Sequence, residues 1–157
     1  MAIPHYPVSF KGVQFVCNLE SFRALPYKDP GGDNHWVIGF GTEIPESDLS
    51  KYEGGISRDT GMFLFSKHSE PLQKQLAKTP LVTLAQNQLD AVFSLAFNIG
   101  FQAFIDSTIY KDLVARGTDL SAWRWFNKGS NGEVMQGLVR RRLLELRLFI
   151  YGVYSTE

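Results

Sequence analysis

A single cysteine, Cys17, stands among 157 residues. It can close no intramolecular disulfide and cannot build a cysteine zinc site, and it suits a chain made and held in a reducing compartment. Long apolar runs are missing too. Nowhere do 18 apolar residues follow one another, so no membrane span is expected. The opening, MAIPHYPVSFKGVQF, has neither the basic start nor the apolar stretch of a secretory signal, which implies accumulation in the cytoplasm that makes it. Net charge is absent: Lys and Arg number 16, as do Asp and Glu. That balance argues against a dedicated nucleic-acid binder. Three scattered histidines, His5, His35 and His68, give no metal-ligand spacing. No phosphate loop is present either, because no helix opening with Lys follows Gly39-Phe-Gly41.

What is there is an ordinary globular composition, 44% apolar and 20% charged, long enough for one domain with a real core. Charge is spread unevenly. From Lys111 onward eight basic residues face five acids, so the C-terminal part is mildly cationic.

Ser9 can cap a first helix, in which Phe10, Val13, Val16 and Cys17 recur at helical spacing. Pro26 is expected to stop it, placing Glu20 in its last turn, where the helix dipole disfavours a carboxylate. Leu25–Asp29 and His35–Gly41 read as two short strands around the turn Pro30-Gly-Gly-Asp-Asn. Alternation puts Trp36, Ile38 and Phe40 on one, buried, face. His35, Val37, Gly39 and Gly41 share the other, where two glycines leave room for something to approach. Residues 43–56 read as irregular. Ser57 opens a helical pattern that Pro71 should kink or break. Thr83 and Gln86 form a capping box for a helix, Leu84 to about Asn98, that is apolar nearly all round. Ser107 caps a short helix ended by Gly117, and Asp119 another through Trp125. The last helix runs from about Gln136 to Tyr151. The class is α+β, mostly α, with a hairpin in the N-terminal third.

The chemistry centres on NLESFRALPYKD. Glu20 and Asp29 are either two solvated surface charges or the two ends of a reaction, since a helix end followed by a hairpin can bring both to one place. Glycoside hydrolysis needs such a pair: one protonated carboxyl for the leaving oxygen, one carboxylate to activate water or attack carbon. Phe22, Leu25 and Trp36 would keep Glu20 protonated by desolvating its charged form.

Three collinear segments then narrow the choice. Glu20, eight residues, Asp29, a turn and Trp36-Val-Ile-Gly-Phe-Gly41 come first. Gln88 to Gly100 with Ala103-Phe104 and Ser107-Thr108 follow. Arg124-Trp125 with Gly137-Leu-Val-Arg-Arg-Arg142, Glu145 and Leu148-Phe149 close the series. Together they resemble the phage-type lysozymes, the endolysins of glycoside hydrolase family 24. The resemblance implies one lysozyme-like domain. Its parts would be a small N-terminal lobe with the hairpin (about 1–56), a connecting helix (about 57–79) and an all-helical lobe (about 80–157), with a cleft between the lobes. It implies a muramidase that cuts the β-1,4 bond between N-acetylmuramic acid and N-acetylglucosamine, usually with inversion. Glu20 matches the general acid and Asp29 the carboxylate that orients water, with the carboxyls ~6.5–9.5 Å apart. Arg141 matches an arginine that pairs with the acid. Phe97, Asn98 and Ser107 match cleft positions, although Phe97 reads first as core and Ser107 as a helix cap. Trp123 and Trp125 read as packing residues before sugar platforms. The partner would be the peptidoglycan glycan strand, met by a monomer that needs no cofactor. Release would come through a holin-type membrane permeabiliser or by delivery as cargo of an injection machine.

The chain departs from the family pattern in its hairpin. The turn is two residues longer, Val37 stands where a threonine usually helps hold the water, and Thr42 where many members carry histidine. His35, or Asn34 or Asp33, is the expected substitute for the missing hydroxyl. Two other readings stay open: a lytic transglycosylase, in which Glu20 works without water, and a wall-binding module without activity.

Overall fold

The computed structural model describes residues 7–30 and 34–157. Residues 31–33, and with them Asp33, lie outside the described residues. The chain divides into two compact units, Val13–Glu70 and a second made of residues up to Gly12 together with Pro71–Glu157.

The first unit holds most of helix α1 (Phe10–Leu19), an antiparallel sheet of β1 (Arg23–Lys28), β2 (Trp36–Gly39) and β3 (Thr42–Ile44), and helix α2 (Arg58–His68). The sheet order is β1-β2-β3. Helix α1 ends at Leu19 by tightening: the Glu20 N–H reaches both Val16 O (3.1 Å) and Cys17 O (3.2 Å), as frayed helix ends do. Glu20 is therefore the residue just past the helix and not within its last turn. Pro26 does not end the helix. It lies inside β1, in the irregular stretch between Arg23 and Tyr27, where an edge strand tolerates a missing N–H.

The structure adds β3, which the sequence hides as irregular. Its three residues pair with β2 as Trp36↔Ile44, Val37↔Glu43 and Ile38↔Thr42. The corner between them is Gly39-Phe-Gly41, with φ of +66° at Gly39 and +86° at Gly41, a conformation in which side chains are strained. The room left at Gly39 is taken by α2: a Cβ there would sit 3.2 Å from Gly61 Cα. Burial does not follow simple alternation. Val37 (5% exposed) is as enclosed as Ile38 and Phe40.

Helix α2 is capped by Ser57, whose side chain accepts the Thr60 N–H. It breaks at Ser69, and α3 (Glu70–Ala77) follows with Pro71 in its first turn, where proline is accommodated.

The second unit is helical: α3, α4 (Gln86–Ile99), α5 (Phe101–Ile105), α6 (Thr108–Val114) and α7 (Gln136–Tyr151), with short 3-10 segments between. Helix α4 is its core, with every residue from Leu89 to Ala96 buried, and it packs chiefly on α7. Each large apolar side chain so enclosed contributes about 1.5–3 kcal/mol. The capping box is displaced from the expected one. Gln88 Oε1 accepts the Ala85 N–H at 3.2 Å, while the Thr83 hydroxyl donates to Pro80 O, because a 3-10 turn over Pro80–Thr83 occupies the expected start.

Two buried carboxylates knit this unit. Asp90, fully enclosed, accepts from the Ser9 N–H (2.9 Å), the Ser9 hydroxyl, Gln86 Nε2 (2.9 Å) and the Tyr154 hydroxyl (2.6 Å). The Ser9 oxygen in turn caps α1 by accepting the Gly12 N–H at 3.0 Å. Glu145, also fully enclosed, accepts from Ser94 Oγ (2.7 Å), Trp123 Nε1 (2.9 Å), Arg141 Nε (3.3 Å) and Arg142 Nη2 (2.8 Å). Beyond Gly152 the tail is fastened by Arg140 to Thr156 O and by Arg147 to Ser155 O.

Candidate active site

Both acids of the NLESFRALPYKD stretch belong to the sheet-bearing unit. Glu20 is half-buried at the end of α1 and Asp29 is exposed one residue past β1. The Asp29 N–H donates to His35 O at 3.1 Å, extending the β1–β2 ladder beyond Tyr27↔Val37 and Lys28↔Trp36. Opposite residues in an antiparallel pair share a face, and so do residues two apart on a strand. Asp29, His35, Tyr27, Val37 and Glu43 therefore lie on one face of the sheet.

The surroundings of Glu20 differ from the sequence expectation. Leu25 does not shield it, being 56% exposed and directed toward Gly55. Phe22 packs on Phe40, ring centroids 5.1 Å apart, and against Gly61 of α2. The Arg58 guanidinium lies over both rings, 5.4 Å from Phe22 and 5.1 Å from Phe40. One turn before Glu20, the Cys17 thiol is buried. Burial first, and the nearby Glu20 charge second, push it up to about 12, with Arg58 acting the other way. A polarised corner results: a half-buried acid, an enclosed thiol and a cation held over two aromatic faces. Arg58 carries no signal along the chain, because its partners are fixed by α2 meeting the sheet at glycine.

The remaining expected residues lie in the helical unit. Phe97 is half-buried, its ring 6.2 Å from Phe93. Ser107 is a cap: its oxygen accepts the Tyr110 N–H at 3.1 Å and its hydroxyl donates to Phe104 O. The arginine triplet splits. Arg140 is exposed, while Arg141 (6%) and Arg142 (1%) are buried. Arg141 Nη2 donates to Ser94 O at 3.3 Å. Arg142 Nη1 donates to Phe126 O at 3.2 Å, and its Nε makes an ion contact of 2.7 Å with Glu145. Burial pulls Arg142 down from its usual value and Glu145 pushes back. Trp123 is fully buried, but Trp125 is 65% exposed, against the expectation that it packs. Among the described residues no three His, Cys, Asp or Glu side chains gather to hold a metal, and no helix is long and apolar enough to cross a membrane.

With this geometry in hand, comparison with known proteins is direct. Residues 17–145 match the phage lysozyme family, a span that includes Glu20, Asp29 and Arg141, and the chain belongs to that family. It is 32% identical over 148 residues to the endolysin of Bacillus phage PZA, covering 92% of this chain and 55% of that protein. It is 30% identical to the endolysin of Acyrthosiphon pisum secondary endosymbiont phage 1, covering 90% and 97%. The solved endolysin of Escherichia coli O157:H7 phage FAHEc1 superposes with a TM-score of 0.75 at 26% identity, covering 96% and 98%. The chain spans about half the length of the two Bacillus phage endolysins it matches. Its fold is lysozyme-like: mostly helical, with one small antiparallel sheet.

Proposed function

We propose that this chain is a peptidoglycan-degrading muramidase that hydrolyses the β-1,4 bond between N-acetylmuramic acid and N-acetylglucosamine. Glu20 protonates the leaving oxygen, and Asp29 orients the water that attacks the anomeric carbon. The observation that carries this reading is the placement of the acids. One is half-buried where a helix stops and the other exposed where a hairpin strand stops, within the span matched to the family. A half-buried carboxyl and an exposed carboxylate are the two environments that acid and base roles require.

In this reading His35 assists at Asp29, its neighbour across the hairpin. In the helical unit the half-buried Phe97 faces the glycan, and the buried Ser107 and Arg141 are supporting residues. The chain acts as a single lysozyme-like domain and as a monomer, and a holin-type permeabiliser gives it access to the wall. No cofactor enters, because proton transfer and water complete the hydrolysis.

The test is release of muropeptides from purified peptidoglycan by the wild type beside Glu20→Gln and Asp29→Asn. Each substitution is expected to lower the rate by roughly 10²–10⁴-fold, with reducing-end muramic acid as the wild-type product. Equal rates for wild type and Glu20→Gln would remove Glu20 from the mechanism. An anhydro sugar would replace hydrolysis by transglycosylation, and no release by any of the three would leave a binding module.

A further inference from the structure

The attacking water needs more than one anchor. A buried or site-bound water is held by two to four polar partners, and Asp29 supplies one. The side chain that follows along the same face of the next strand, Val37, has only methyl groups to offer. Its cross-strand neighbours are Tyr27 on β1 and Glu43 on β3. The Tyr27 ring is already covered by the Arg23 guanidinium, 4.3 Å from its centroid.

Glu43 is different. It is the exposed residue between buried Thr42 (7%) and Ile44 (9%), so the strand holds its backbone while its side chain stands on the Asp29 face. Its carboxylate makes no hydrogen bond or ion pair among the described residues. Strands lie about 4.8 Å apart and rise about 3.4 Å per residue. Asp29 and Glu43, two strands and two residues apart, then have Cα atoms separated by about 12 Å. Aspartate and glutamate side chains on one face are long enough to reach into that gap. One water donating to two oxygens spans up to about 5.5 Å, which the remaining distance accommodates.

Resting on the muramidase reading, we propose that Glu43 is a third carboxylate of the active site: it holds the attacking water together with Asp29, across Val37. The water gives one proton to Asp29 as its oxygen bonds to the anomeric carbon. Its other hydrogen stays on that oxygen, donated as a hydrogen bond to Glu43. The bond to the leaving oxygen breaks, and that oxygen takes the proton of Glu20. Asp29 then returns its proton to solvent, Glu20 regains one, and the site is reset. Glu43 neither gains nor loses a proton, so its part is to fix the direction of the lone pair.

The experiment uses the full chain and purified peptidoglycan, with kcat, KM and Tm measured for wild type, Glu20→Gln, Glu43→Gln and the double variant Val37→Thr/Glu43→Gln. Glu43→Gln is expected to lower kcat roughly 10- to 100-fold, the scale of a misplaced reactant, with KM and Tm nearly unchanged. Threonine at position 37 returns an oxygen beside the water, so the double variant recovers most of the lost kcat. A merely structural role for Glu43 would not respond to that rescue. Glu43→Gln within twofold of wild type, or a double variant no faster than Glu43→Gln, overturns the proposal while an inactive Glu20→Gln leaves the muramidase reading standing. A Glu20→Gln as active as wild type, or an inactive wild type, overturns both.

Discussion

The two units treat their acids in opposite ways. In the helical unit Asp90 and Glu145 are fully buried, and each accepts from four neighbouring donor groups. In the sheet unit Glu20 is half-buried and Asp29 and Glu43 are exposed. A carboxylate saturated with donors in a closed interior is committed to architecture, because removing it strands every donor that faced it. A carboxylate with a wet side can exchange protons and meet a substrate. On the proposed function, the contrast assigns the chemistry to Val13–Glu70 and the rigidity to the helical unit.

The largest expected effect tests the first half of that contrast. Glu20→Gln should forfeit about 2.7–5.5 kcal/mol of transition-state stabilisation, the equivalent of its expected rate loss, while its Tm shifts little. Glu145→Ala should do the reverse. It removes the buried carboxylate to which both Arg141 and Arg142 donate and costs about 3–5 kcal/mol of stability, read by urea denaturation. A folded, equally stable Glu145→Ala would show that the arginines find other acceptors. Next comes Gly12→Ala. Its new Cβ would fall 2.5 Å from Asp90 Cγ, and the crowding should cost about 1–3 kcal/mol. A change below 0.5 kcal/mol would mean the Asp90 cluster is looser than its contacts indicate.

The last effect is alkaline. The Tyr154 hydroxyl, desolvated and bonded to Asp90, is pushed up to about 12 from 10.0, and burial pushes Cys17 up to about 12 from 9.0. Both are raised relative to the unfolded chain, so their protonated forms favour the native state. That contribution is intact below pH 9 and is lost as pH rises through 12. Melting temperature should therefore decline across this range. Cys17→Ala should flatten the part that begins near pH 9, and Tyr154→Phe the part that begins near pH 10.

Much of this was legible before any coordinates, where local chemistry decides the outcome. Ser9, Ser57 and Ser107 cap the helices they precede, Pro71 divides α2 from α3, and α7 runs from Gln136 to Tyr151. The Glu20 and Asp29 spacing was visible as well. What stayed hidden depends on pairing between distant residues. A three-residue strand such as β3 has too few positions to show alternation, and the glycine corner before it reads as loop. Pro26 looks like a helix stop until β1 is known to be an edge. The burial of Arg142 and the Glu145 cluster stayed hidden, because the Trp123 and Ser94 that close around Glu145 are 22 and 51 residues away from it. Glu43 escaped notice because its neighbour is Val37 only through the sheet register.

The sheet unit is spliced into the helical one, between Gly12 and Pro71, and this sets an order of events on the ribosome. The segment Val13–Glu70 can complete its own contacts as soon as it emerges. Ser9 must wait for Asp90, 81 residues later, which at ordinary translation speeds is roughly 4–16 s. Asp90 then waits for Tyr154, 64 residues further on. A ribosome stalled in that last interval would hold a finished sheet unit on a scaffold still lacking one of its fastenings.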